Sequence, residues 1–116
     1  MINKKIFNLD DGTHIRYTEQ GAGEPLLLLH TIRNRLEYSD RLLPYLTKKF
    51  KVYVVDLPGH GDSPINRKTN YDQIFMTKSL VSFIEHLNLK NLTIAGESIG
   101  AVLSATIAIK IPTRIK

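Results

Sequence analysis

An α/β fold with a mainly parallel sheet is predicted for this 116-residue chain by three features of its sequence. Two short strand-like runs flank Asp10-Asp11-Gly12, a strong hairpin turn. Short apolar runs then alternate with helical stretches, the pattern of parallel strands joined by crossover helices. Lastly, Gly96-Glu97-Ser98-Ile99-Gly100 joins a strand-like run, Leu92-Thr93-Ile94-Ala95, to a helix-like run from Ala101 to Ile111. The expected strands lie near residues 4–9, 14–19, 26–30, 51–56 and 92–96.

Each element has a local cause. Leu26-Leu27-Leu28-Leu29-His30 is bounded by turn residues and has the length of a strand buried on both faces. A helix is expected over about Leu36 to Lys49 on the apolar face of Leu42, Leu43 and Leu46, with a kink or break at Pro44. Lys51 to Asp56 is rich in β-branched residues and reads as a buried strand. Leu57-Pro58-Gly59-His60-Gly61-Asp62-Ser63-Pro64 is a tight glycine-rich loop. In the next helix Asn70 is the expected cap, Gln73 stands three residues on, and Ile74, Thr77, Val81, Ile84 and Leu87 form one stripe. Asn88 suits a left-handed stop. The last helix is apolar nearly all round, so it should be buried, and Pro112 ends it at about Ile111.

Composition narrows the functional classes. The length fits at most one domain. The absence of cysteine excludes a disulfide framework or thiolate metal site, and no metal-ligand cluster or cofactor motif appears. The N-terminus has charge but no sustained apolar stretch, so it is not a signal peptide. The longest aliphatic run, Leu26 to Leu29, is too short to span a bilayer, and a cytoplasmic protein without a membrane partner is expected. The net charge is +5, but the basic residues are scattered and no aromatic-basic RNA motif accompanies them. They read as a solvated surface, with no nucleic-acid partner.

The serine pentapeptide carries the chemistry. A serine between strand and helix in so tight a turn is forced into a strained backbone conformation. Gly96 and Gly100 flank it because strand and helix pass too close there for a β-carbon. The strain would hold the hydroxyl clear of the sheet, and the helix N-terminus would stabilise negative charge developing on a substrate oxygen. A serine nucleophile also needs a base. Eighteen residues follow Ser98, and they contain no histidine, aspartate or glutamate.

Taken in order, three motifs resemble the α/β-hydrolase fold superfamily, in its serine-nucleophile branch. They are the aliphatic strand ending in His30, the run Val54-Val55-Asp56-Leu57-Pro58-Gly59-His60-Gly61-Asp62-Ser63, and the serine turn. The resemblance covers essentially the whole chain. It implies the N-terminal portion of such a sheet, incomplete, in the spatial order first, second, fourth, third, fifth, with the last three parallel and the first two forming a hairpin at the edge. It implies Ser98 as nucleophile and the backbone N–H groups of Ile99 and Ile32 as oxyanion-hole donors. His30, Thr31, Arg33 and Glu97 are candidate pocket-lining residues. The family usually has His-Gly-x-Pro where this chain has His30-Thr31-Ile32-Arg33. Arg33 could contact an anionic substrate or stand exposed in the loop.

Serine in place of aspartate disfavours the dehalogenase and epoxide-hydrolase branches. By the same resemblance it fits esterases, acyltransferases, carbon–carbon bond hydrolases and cofactor-free haloperoxidase-like members, and the expected substrate is a small-molecule ester, thioester or other activated carbonyl. The competing readings are a non-catalytic fragment or partner-binding piece, and a hormone-type receptor on the same fold. Of the four histidines, His30 should lie nearest Ser98, shaping the oxyanion loop rather than acting as base. Asp56 and Asp62 should satisfy backbone groups in their turn. The edge of the last strand carries no guarding charge, proline or bulge, and self-association through it is expected.

Overall fold

The computed structural model describes residues 4–31 and 34–116. A five-stranded sheet is formed by β1 (Lys4–Asn8), β2 (His14–Gln20), β3 (Glu24–Leu29), β4 (Phe50–Val55) and β5 (Thr93–Gly96), in the order β1-β2-β4-β3-β5. This is the expected order. β1 and β2 form an antiparallel hairpin, and β2 pairs antiparallel with β4. β3 runs parallel to β4 on one side and to β5 on the other, with Leu26 opposite both Val52 and Thr93.

Strand alternation sends side chains to two cores. On one face Ile15, Tyr17, Leu27, Leu29, Tyr53 and Val55 pack against two helices, α2 (Gln73–His86) and α3 (Ile99–Lys110). On the other, Leu26, Val52 and Val54 pack against Leu36 and Leu43. Those two belong to a 3-10 turn, Leu36–Ser39, and to the short helix α1 (Leu43–Leu46). The helix expected over Leu36 to Lys49 is therefore two short pieces. Pro44 cannot donate to the preceding turn. Upstream of it the bonds span three residues, as in Asp40 N–H to the Glu37 carbonyl (3.1 Å) and Leu42 N–H to the Ser39 carbonyl (2.9 Å).

α2 differs from the sequence expectation in two ways. Its cap is Asp72, whose carboxylate accepts the Phe75 N–H (2.9 Å); Asn70 instead donates to Asp72 (3.3 Å). Asp72 directly precedes the first helical residue, where a carboxylate both meets a free N–H and complements the dipole. The buried face is wider than the expected stripe: Thr77 and Ile84 of that stripe are buried together with Met76, Leu80 and Phe83, while Ile74 is 78% exposed. Val81 and Leu87 are partly buried and pack against the same core. Asn88 does end the helix, with φ 52°. None of the described helices is long and apolar enough to cross a membrane.

The far edge of β5 is partly covered. Ile115 forms a parallel bridge with Leu92, through Leu92 N–H to the Arg114 carbonyl and Lys116 N–H to the Leu92 carbonyl, both 2.9 Å. The expectation of a bare edge is thus corrected at Leu92, which is fully buried. Among the described residues Thr93–Gly96 pair only with β3. Ile109 on the neighbouring helix is 80% exposed. Open edges and apolar patches drive association. Residues 1–116 expressed alone should therefore show concentration-dependent self-association by size-exclusion chromatography and light scattering. A single monomer peak across the concentration series would show that the edge is guarded.

Candidate functional site

The site is built on the connection between β5 and α3. Ser98 has φ 57° and ψ −117°, is exposed, and caps α3 without a side-chain hydrogen bond. That backbone conformation is costly for a residue with a β-carbon and needs support from its surroundings. The support is close packing through the two glycines. A β-carbon on Gly96 would overlap the Gly100 carbonyl group, and one on Gly100 would stand 2.5 Å from the Leu29 carbonyl oxygen. β5 and α3 thus cross in contact, and α3 sits directly on the end of β3. Gly100 N–H donates to the Glu97 carbonyl (3.0 Å) and Ala101 N–H to the Ser98 carbonyl (2.9 Å). The Ile99 N–H has no hydrogen-bond partner among the described residues, so a donor at the positive end of α3 is left free beside the Ser98 hydroxyl.

Beside this turn lies a cavity of about 180 Å³, with His30, Tyr38, Leu42, Gly96 and Glu97 among its walls. His30 and Glu97 both line this cavity. Thr31 is half-buried, and its carbonyl accepts from the His30 ring and from Asn34 N–H (3.2 Å). Ile32 and Arg33 lie outside the described residues. Tyr38 and Leu42 were not anticipated. Their signal in the sequence is weak, since both sit in the broken segment read as one amphipathic helix. The Glu97 carboxylate facing Tyr38 holds its phenol above the ordinary range.

His30 has both ring nitrogens engaged. Its Nε2 accepts the Leu57 N–H (2.9 Å), so the proton resides on Nδ1, which donates to the Thr31 carbonyl (2.6 Å). Burial pushes its pKa down and keeps the ring neutral. The ring thus ties the end of β3 to the residue after Asp56. It has no lone pair free to take a proton from Ser98.

Asp56 is equally occupied. It is fully buried, and its carboxylate accepts from Leu36 N–H (2.7 Å), Asp62 N–H (3.0 Å) and Arg16 Nε (2.5 Å). Gly61 is pressed so close that a β-carbon would overlap this carboxylate. Arg16, 5% exposed, donates further to Asp62 (2.6 Å) and Glu37 (2.8 Å). Ser63 closes the unit, accepting from Arg16 N–H (2.9 Å) and donating to the Asp56 carbonyl (3.0 Å). Sequence reasoning assigned Asp56 to its turn but missed Arg16. The available signal was a cation between Ile15 and Tyr17 in a strand flanked by buried neighbours.

Burial disfavours the charged form of Glu37, but hydrogen bonds from Lys4 and Arg16 outweigh it and hold the carboxyl at about 2 against an ordinary 4.5. The folded pKa is depressed, so this contribution is present above pH 4.5 and is lost as pH falls through about 2. Urea unfolding measured across that window should show stability falling in the wild type, and falling less steeply in Glu37→Gln. Identical slopes would remove Glu37 from the network.

Comparison with known proteins agrees with this architecture. Residues 24–116 match the family model described as alpha/beta hydrolase fold. The chain is 31% identical over 116 residues to the (E)-2-((N-methylformamido)methylene)succinate hydrolase of Acinetobacter baylyi, covering all of this chain and 43% of that protein. It is 25% identical over 95 residues to the pimeloyl-[acyl-carrier protein] methyl ester esterase of Aeromonas hydrophila, covering 82% of this chain and 36% of that protein. A hydrolase of Pseudomonas aeruginosa superposes with a TM-score of 0.91 at 27% identity, over 98% of this chain and 43% of that one. The chain thus spans less than half the length of each of these three proteins.

Proposed function

This chain belongs to the α/β-hydrolase fold family, and from that premise we propose that it carries the serine nucleophile of a hydrolase that cleaves an ester, thioester or other activated carbonyl bond. The observation that carries the reading is Ser98 itself, exposed at φ 57° between two glycines that admit no β-carbon. Relatives named as a hydrolase and an esterase support the reaction class.

In this reading the Ser98 hydroxyl attacks the substrate carbonyl carbon while a histidine from outside residues 1–116 takes its proton. The carbonyl oxygen becomes an oxyanion and accepts the Ile99 N–H, with the Ile32 N–H as second donor. Collapse expels the alcohol or thiol, which takes the proton from that histidine, and leaves an acyl-Ser98. Water then releases the acid and regenerates serine. The cavity walled by His30, Leu42 and Glu97 lies beside the reacting centre and would take part of a small-molecule substrate. No step calls for a metal or an organic cofactor.

A second reading rests on a specific observation. His30 is committed at both nitrogens, Asp56 is consumed by Arg16 and backbone groups, and residues 99–116 contain no acid or histidine. Residues 1–116 by themselves are then a non-catalytic unit that holds the nucleophile without its base.

Both are tested together with p-nitrophenyl acetate. In the product of the complete reading frame, Ser98→Ala should lower kcat/KM on the order of 10⁴-fold. Unchanged turnover in that variant would remove Ser98 from the mechanism. Residues 1–116 alone should show no turnover beyond that of their own Ser98→Ala variant. Clear turnover abolished by the substitution would mean that a group within the chain acts as base.

A further inference from the structure

The stripe Ile74, Thr77, Val81 runs along the outer margin of the buried face of α2: Ile74 is exposed, Thr77 is buried and Val81 is partly buried against the core. It lines an open groove of about 420 Å³ between α2 and α3, a volume within the range of small-ligand sites. Three observations go beyond an unpartnered apolar face. The groove is flanked by two cations, Lys78 on α2 and Lys110 on α3, and no acidic residue lines it. Neither lysine has a hydrogen-bond or ion-pair partner among the described residues, so both head groups can meet a ligand. And Thr77 is 1% exposed with its Oγ1 buried and without a hydrogen-bond partner among the described residues, a group whose desolvation is uncompensated in the free protein. One end of the groove is closed by a side-chain hydrogen bond between Gln73 and Thr106 (3.0 Å). The site is separate from the serine turn: Lys110 lies twelve residues along α3 from Ser98, about 18 Å at the helical rise of ~1.5 Å per residue.

We propose that the α2–α3 groove binds a single-headed anionic amphiphile of medium chain length, a fatty-acid-like carboxylate. The alkyl chain lies along Ile74 and Val81. The carboxylate pairs with Lys78 and Lys110, and a small shift of α2 side chains brings it the Thr77 hydroxyl as donor. Charge complementarity selects this occupant. A neutral apolar ligand would leave both lysines unused, and an inorganic anion would leave the apolar floor exposed. The inference does not rest on Ser98 or on any hydrolytic step.

The test is an amide chemical-shift titration of the chain with octanoate at neutral pH, with octanol as the uncharged control. The account expects saturable single-site binding, with shifts concentrated in residues 73–81 and 106–110. Octanol should bind about tenfold more weakly, the loss typical of a charge-assisted hydrogen bond. Lys78→Gln/Lys110→Gln, both exposed positions, should weaken octanoate by a similar factor and leave the free protein's spectrum otherwise intact. Thr77→Val should raise the thermal midpoint of the free chain, because it removes an unpaired hydroxyl, and should weaken octanoate. Non-saturable binding, shifts centred on residues 28–42 and 95–97, or equal affinity for octanol would overturn the proposal. So would full octanoate affinity in the double lysine variant. Binding to phosphatidylglycerol vesicles without binding to free octanoate would overturn it in favour of a membrane surface.

Discussion

The buried pair of Arg16 and Asp56 is the interaction on which the remaining geometry depends. Asp56 stands at the end of β4, where the chain leaves the sheet and turns back. Its carboxylate is fully buried and spends its lone pairs on Arg16, on Leu36 N–H and on Asp62 N–H. Those three partners belong to β2, to the 3-10 turn after β3, and to the glycine-rich loop. A single carboxylate therefore fixes the relative positions of three segments distant in sequence. The desolvation of such a pair is expensive, and geometry this complete is what offsets it. Two further guanidinium donors go to Asp62 and Glu37, so the Arg16 cation is held by three carboxylates.

From this pair the constraint passes to the serine turn in two steps. Leu57, next to Asp56, donates its N–H to His30 and so holds the end of β3. β3 in turn presents the Leu29 carbonyl against which Gly100 packs. α3 can approach so closely only because residue 100 has no β-carbon, and that approach sets the direction of the helix beneath Ser98. The strained φ of Ser98 is thus the end of a chain of contacts that begins in the charged cluster. Interiors are close-packed and transmit displacements of this kind.

Much of this was legible in the sequence because it is local. Hairpin chemistry at Asp10-Asp11-Gly12, the apolar strand runs, and the strand–turn–helix around Ser98 each express a backbone requirement within a few residues. The strand order followed from resemblance, not from local pattern. What was not legible is what depends on distant partners. Arg16 reads as one more surface cation until β4 delivers Asp56 to it. α2 is apolar over a broad face, and only packing against the sheet brings Met76, Leu80 and Phe83 inside and leaves Ile74 out. In the segment 36–49 the break at Pro44 was legible, but the tether on Leu36 that goes with a first piece in 3-10 form was not. Ile115 bridging Leu92 depends on where the 3-10 turn Pro112–Arg114 sends the chain, which no periodicity encodes.

The central claim is that the buried Arg16–Asp56 pair holds the architecture that positions Ser98. The direct measurement is the unfolding free energy of Arg16→Met, beside the double variant Arg16→Met/Asp56→Leu, with amide exchange at Leu36 as the local readout. The single variant leaves a carboxylate buried without its counter-charge and should cost about 3–5 kcal/mol. Leu36 exchange should accelerate with it, and the double variant should recover much of the stability because no unpaired charge remains. A single variant within about 0.5 kcal/mol of wild type, with Leu36 still protected, would contradict the account.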